Sequence, residues 1–463
     1  MPDNRKSGPS SKLDRNAVIA MTRKMAGNKQ SKSPPPNKPQ PLFNPAKTDF
    51  KTLEVFKDMD TQRAAVEFIG LKNPYFTLHE GRAGATTMID GREMINFSSY
   101  DYLELNGHES VAKAAKQAID QHGTSVSASR PTAGERPVHR KLERQIADLY
   151  KTDEALVFVS GHSTNVSTIG DLMGPKDLII FDALSHNSIT VGARLSGAAR
   201  RRYGHNDLKE LAAILGETRN KYDRVLIIVE GLYSMDGDIA DLPGLIDIKN
   251  RFGAWLMVDD AHGLGVLGGN GRGIFEHFGI DPKEVDIWMG TLSKTLAGCG
   301  GYIAANSVLI EILKYHASGF MFSVGMPGPV AAASSRALEL MLAQPERVKK
   351  LQENGQYFLQ AAHQAGLDTG ASLGFSVIPI IIGDSVRAVK LCNELLEQGV
   401  FTIPVTYPAV PMQEARIRFF ITSGHTRDQI DTAISTTKTI LAKLVESNFS
   451  LMTAIDKMDG DQF

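Results

Sequence analysis

Cysteine is nearly absent: Cys299 and Cys392 are the two in 463 residues, too far apart for a metal-ligand spacing and too few for a disulfide framework. Nowhere do 18 apolar residues run together, and the opening MPDNRKSGPSSKLDRNAV holds no apolar stretch of signal-peptide length. Neither a membrane span nor a secretory leader is expected, and a reducing, cytoplasmic setting follows as the expectation. Charge of one sign is also missing. Lys+Arg 51 against Asp+Glu 52 leaves a net of −1, without the basic surplus that nucleic acid or anionic lipid requires. With 42% hydrophobic and 22% charged residues, disorder, a collagen-like rod and a disulfide-stapled miniprotein are excluded. The length fits two or three packing units.

What charge there is lies unevenly. Residues 1–50 hold ten Lys/Arg against three Asp/Glu, and eight of the 21 prolines, including Pro34-Pro35-Pro36. Such a stretch cannot bury enough apolar surface to offset its ordering entropy. It reads as a basic, disordered linker, with amphipathic turns around Leu13 to Met25, or as a docking tail for a carrier protein or neighbouring domain. The acidic end from Asp456 to Phe463 is expected to fray.

From Phe50 onward, near-continuous apolar runs alternate with helical stretches. The runs begin at Ala155, Asp177, Arg224, Ala254, Ile287 and Gly300. Strands apolar on both faces and separated by helices predict an α/β fold with a mostly parallel sheet. From about Ala331 the pattern changes. An Ala-rich helix runs to Ala343, Pro345 suits the first turn of a second helix reaching Ala365, and a third covers Thr426 to Ser447. With apolar runs from Phe375 and Ala415, this predicts a smaller α+β domain. The expected division is a tail over 1–50, a segment over 51–105 contributing to the active site, a large domain over 106–330 and a small domain over 331–463.

The sharpest chemical feature is Met289-Gly-Thr-Leu-Ser-Lys294, a lysine among hydroxyl residues directly after an apolar strand. Ligands collect at such strand ends in open α/β sheets. Lys294 is either a solvated loop lysine or a Schiff-base former whose neighbour Thr291 holds a phosphate. Val258-Asp259-Asp260-Ala261-His262 shifts the weight, because an aspartate ending a buried strand can keep a pyridinium nitrogen protonated. That is what pyridoxal phosphate (PLP) requires. His262 is then placed to reach the ring's phenolic oxygen or an incoming carbonyl. Ser160-Gly161-His162 follows another strand and opens a helix whose free amides suit phosphate. Leu184-Ser-His186 offers an imidazole that can stack on an aromatic ring.

Taken with Asn96-Phe-Ser-Ser-Tyr-Asp-Tyr-Leu, Glu230-Gly-Leu-Tyr-Ser-Met-Asp-Gly-Asp, Gly271-Arg-Gly and Ala415-Arg-Ile-Arg, these segments resemble the α-oxoamine synthases from about residue 50 to 447. These are fold-type-I PLP enzymes. The resemblance implies a PLP-dependent transferase fold, with a large domain on a mostly parallel central sheet and a smaller α+β C-terminal domain. It implies decarboxylative condensation of glycine, alanine or serine with an acyl thioester, carried by CoA or an acyl carrier protein, in a homodimer.

By motif position, Lys294 anchors the cofactor, Asp259 faces its pyridine nitrogen, His186 stacks on the ring and His262 polarises the thioester. Gly161, His162, Ser234 and Thr291 fall at cofactor positions, and Ser323 matches a hydroxyl given by the other subunit. Arg418 matches the arginine that grips the amino-acid carboxylate, with Arg416 two residues earlier on the same face. The sequence departs from the family at Tyr100, where asparagine is usual near the substrate carboxylate, at Glu104 in place of glycine, and at Ala409 in place of a threonine found in some members. A basic stretch of Arg130, Arg136, His139 and Arg140 is either a solvated face or a contact for the acyl carrier. Its wording resembles members found beside polyketide machinery, which favours a carrier-protein donor. The alternatives are a fold-type-I aminotransferase or a non-catalytic subunit of a heteromeric synthase.

Overall fold

A computed structural model describes residues 45–411 and 413–450. Residues 1–44 of the expected linker, including the turns near Leu13 to Met25, and the acidic end lie outside the described residues. The chain falls into two units, one ending at Gln62 and one spanning Arg63–Phe463. In the first, short 3-10 turns at Pro45–Thr48 and Phe50–Thr52 precede the start of a helix at Glu54, and the Asp49 carboxylate caps the second turn by accepting from Lys51 N.

The second unit opens with a hairpin of β1 (Thr86–Ile89) and β2 (Arg92–Asn96). Its tip, Asp90-Gly91, has φ of 50° and 67°, the pair of left-handed residues that a tight hairpin turn requires. The main sheet comprises β3 (Glu154–Phe158), β4 (Leu178–Asp182), β5 (Ala199–Tyr203), β6 (Val225–Glu230), β7 (Trp255–Asp259), β8 (Ile287–Thr291) and β9 (Gly301–Ala305). They lie in the order β3-β9-β8-β7-β6-β4-β5. β9 runs antiparallel to both neighbours and every other pairing is parallel.

The apolar runs explain this arrangement. In β6 and β7, Ile227, Val229, Leu256 and Val258 join one buried cluster, whereas Leu226, Ile228 and Met257 point into another. Alternate side chains thus enter separate cores on the two faces, and each fully buried one contributes about 1.5–3 kcal/mol. β5 breaks the pattern, because Arg200, Arg201 and Arg202 are all exposed. It is an edge strand, where charge prevents pairing with another chain.

The C-terminal region holds β10 (Val377–Gly383), β11 (Val400–Phe401), β12 (Ile403–Val405) and β13 (Ala415–Phe420). β13 lies between β10 and β12, antiparallel to both, while β11 joins the β1-β2 hairpin as a third strand. Helices Gly328–Ala343, Pro345–Gln364 and Arg427–Glu446 form where expected, the last begun by a capping box between Thr426 and Gln429. Among the described residues no helix is long and apolar enough to cross a membrane.

Candidate active site

The carboxyl ends of β3, β4, β6, β7 and β8 open into one cavity of about 390 Å³, which Arg418 of β13 also lines. Of the eleven residues that the sequence puts at cofactor or substrate positions, ten line it and Ser323 does not. Ser323 lies two residues after the short helix Ser318–Met321, beside Phe322, which is 86% exposed.

Asp259 ends β7 and is buried. Its Oδ1 accepts from Ala261 N at 3.1 Å and its Oδ2 from Asn165 Nδ2 at 2.7 Å, so the carboxylate is held rigidly. Lys294 follows β8 into the same cavity. Desolvation of its amine lowers its pKa to about 8, with Arg418 adding to the effect and Asp259 and Glu230 opposing it. About a tenth of the amine is then neutral at pH 7, the form able to act as a nucleophile or a base.

His262 is buried beneath Tyr100. Burial holds its pKa well below the ordinary imidazole value, helped by the charges of Lys294 and Arg418. Its Nδ1 lies 2.6 Å from Oη of the buried Tyr102. Tyr100, 41% exposed, sets its ring edge-on to Phe420 at 4.7 Å, with Lys294 Nζ 5.9 Å from its centroid. A phenol therefore stands where the resemblance puts an amide.

The segment after β4 carries His186. Its backbone N–H donates to Glu230 Oε1 at 2.5 Å; its Nδ1 lies 2.7 Å from Ser188 Oγ and caps the helix Asn187–Leu195 by accepting from Ser188 N at 3.3 Å. Glu230, at the end of β6, is buried. Loss of water and the nearby Asp259 push its pKa up to about 8. At the end of β3, Ser160 caps the helix Gly161–Leu172, and Gly161 and His162 of its first turn, where backbone amides lack helical partners, line the cavity with Thr291. Gly300, at φ 145°, lets its carbonyl accept from both Thr291 Oγ1 (2.8 Å) and Ser293 Oγ (3.3 Å), drawing these hydroxyls together.

The two arginines of β13 differ sharply. Arg416 is buried and fully engaged, pairing with Asp236 at 2.6 Å and Glu414 at 3.2 Å. Arg418 donates from one terminal nitrogen to the Ser234 carbonyl at 2.9 Å, and its buried Nε has no partner among the described residues. A buried guanidinium with an unpartnered Nε at a cavity wall can accept an anion.

Part of the basic stretch folds into ion pairs, while Arg136 donates to the Ala133 and Glu135 carbonyls. Arg130 is buried between Glu135 and Glu143, Arg140 pairs with Glu135, and His139 is buried against the Met326 carbonyl. Arg140 is exposed and Arg136 half-buried, so the stretch is internal at Arg130 and His139 and reaches the surface at Arg140. Contributors that carried no role in the sequence reading include Asn165, one turn into its helix, Tyr102, two residues after Tyr100, and Glu230 at the end of β6. A polar residue one helical turn beyond a strand-end motif was the available signal for Asn165.

The donor set suits PLP: a buried carboxylate for the ring nitrogen, an amine of lowered pKa for the aldehyde, and first-turn amides with hydroxyls for the phosphate. Among the described residues no group of His, Cys, Asp and Glu is arranged to hold a metal ion.

The family model for class I and II aminotransferases matches residues 92–436. Over 349 residues the chain is 42% identical to 8-amino-7-oxononanoate synthase of Symbiobacterium thermophilum, spanning 75% of this chain and 88% of that protein. The solved serine palmitoyltransferase of Sphingomonas wittichii superposes with a TM-score of 0.81 at 29% identity, covering 85% of this chain and 98% of that one. A variant of the S. paucimobilis serine palmitoyltransferase, with PLP and myriocin bound, gives 0.82 at 26% identity over 86% and 99%.

Proposed function

Because this chain belongs to the α-oxoamine synthases, within the class I and II aminotransferase family, we propose that the cavity around Lys294 is the catalytic centre of its condensation reaction. The protein is a PLP-dependent acyltransferase. It joins a small α-amino acid to an acyl thioester, taking up one proton and giving an α-amino ketone, CO2 and a free thiol.

One observation carries the assignment of the centre: Lys294 and Asp259 line a single cavity with the unsatisfied guanidinium of Arg418. Bound there, PLP supplies an electron sink for the charge that develops at the amino acid's Cα. Asp259, fixed by Asn165, would hold the ring nitrogen, and Gly161, His162 and Thr291 the phosphate, with Ser234 beside them. His186 would lie against the ring. Lys294 Nζ takes the Cα proton and later returns one. Arg418 grips the substrate carboxylate and fixes which bond to Cα is weakened.

With the Tyr102 hydroxyl donating to Nδ1, the neutral His262 keeps Nε2–H to donate to the thioester carbonyl as it gains negative charge. Tyr100 narrows the mouth over Cα and favours alanine or glycine over larger amino acids. The homodimer, with Ser323 reaching the neighbouring centre, and a cytoplasmic location belong to the same reading. So does the division into domains over 106–330 and 331–463. Of the basic stretch, Arg130 is held in internal pairs while Arg140 is exposed, and the acyl carrier is left as CoA or carrier protein. Incubation with glycine, alanine or serine and acyl thioesters of graded length, read by mass spectrometry, tests the reading. Product ketone with stoichiometric CO2 and thiol supports it; amino transfer without thiol release overturns it.

A further inference from the structure

Outside the cavity, between β4 and the turn after β6, lies a polar cluster the mechanism does not use. His205 Nδ1 is 2.9 Å from Asp182 Oδ1, and its Nε2 is 2.7 Å from Asp238 Oδ2. Asp182 is fully buried and Asp238 nearly so. Burial works against a charge on this imidazole, but the bonds to the two carboxylates prevail and push its pKa up to about 10. It is therefore a cation donating from both nitrogens at neutral pH. Asn206 repeats the bridge: its N–H donates to Asp182 Oδ2 at 2.9 Å, and its Nδ2 to Asp238 Oδ2 and the Ile239 carbonyl, each at 3.0 Å. It does so at φ 55°, a left-handed conformation that non-glycine residues adopt at a cost.

Each carboxylate controls a cavity segment. Asp182 Oδ1 also accepts from Leu184 N at 2.8 Å, at the start of the segment that ends in His186. Asp238 closes the turn Tyr233–Asp238, its carbonyl accepting from Tyr233 N at 2.9 Å while Gly237 N bonds the Tyr233 carbonyl. That turn presents Ser234, whose carbonyl holds Arg418. It is also pressed against β10, since a Cβ on Gly237, at φ 72°, would stand 2.0 Å from the Val377 carbonyl. Neither His205 nor Asn206 lines the cavity.

We propose that His205 is a positioning residue, tying the His186 segment to the Ser234 turn so that the ring-stacking imidazole and the carboxylate-binding arginine keep one fixed spacing. This rests on the catalytic reading above.

The test compares PLP-loaded wild type with His205→Ala, His205→Gln, Asp238→Asn and His205→Ala/Asp238→Asn. Its readouts are visible circular dichroism of the bound cofactor and the amino-acid dissociation constant from spectral titration. His205→Ala should weaken amino-acid binding about tenfold or more and alter the dichroic band, with partial recovery in His205→Gln. Asp238→Asn should add little in the double variant. Should His205→Ala not fold, His205→Gln carries the comparison. Unchanged band and binding, with only a lowered melting temperature, would overturn the proposal alone. A wild type without a lysine-bound cofactor band would overturn the catalytic reading and this proposal with it.

Discussion

Tyr102 Oη and His262 Nδ1 lie 2.6 Å apart, both side chains buried, at the junction of the N-terminal segment with the end of β7. Burial raises the phenol's pKa and lowers the imidazole's, so neither ionises at working pH and the pair shares one hydrogen bond. Removing the hydroxyl in Tyr102→Phe leaves a buried nitrogen unpartnered and its tautomer unset. Steady-state kinetics should show kcat reduced about 10–100-fold, with the amino-acid KM little changed. An unaltered kcat would show that the bond does not orient His262 for catalysis.

Arg418→Ala should raise the amino-acid KM about a hundredfold, in line with loss of two charge-assisted bonds. Arg418→Lys should recover little of it, because an ammonium cannot reproduce the planar fork. Arg416→Ala removes the partner of Asp236, and its effect should fall mainly on thermal stability. Equal KM effects from both arginines would contradict the distinction.

The lowered pKa of Lys294 gives a pH prediction. Only the neutral amine attacks an aldehyde, and this amine loses its proton through about pH 8 rather than near that of an exposed lysine. Stopped-flow capture of PLP by cofactor-free protein should therefore accelerate about tenfold per pH unit below 8 and level off above it. A rate still climbing steeply at pH 10 would mean that the cavity does not depress this group.

Glu104 occupies a left-handed conformation, φ 56°, where the family resemblance expects glycine. The strain is offset by its Oε1, which accepts from Ala85 N and Thr422 Oγ1, each at 2.8 Å, joining the hairpin segment to the turn after β13. Glu104→Ala keeps the strain and loses both bonds. Urea unfolding should show a loss of about 1–3 kcal/mol. Wild-type stability in that variant would show the carboxylate to be incidental.

Much of this architecture was legible because burial and chemistry agree. β4, β6 and β7 are apolar on both faces, and Pro345 and Thr426 mark helix starts by rules of the backbone alone. β5 was not legible, since the apolar-run criterion cannot see an edge strand carrying three exposed arginines. Nor were the short strands β1, β2 and β11, the last of which pairs with β2 across more than 300 residues of sequence. Lys294, Asp259 and Arg418 could be named from motifs, but the contrast between the unpartnered Nε of Arg418 and the ion-paired Arg416 depends on Asp236 and Glu414. Charge alone misdescribes Arg130, which pairs with Glu135 and Glu143.

The most direct measurement is borohydride reduction of the PLP-loaded protein followed by peptide mass mapping. The account predicts the phosphopyridoxyl mass on the peptide containing Lys294 and on no other lysine; the label elsewhere, or no label at all, would contradict it.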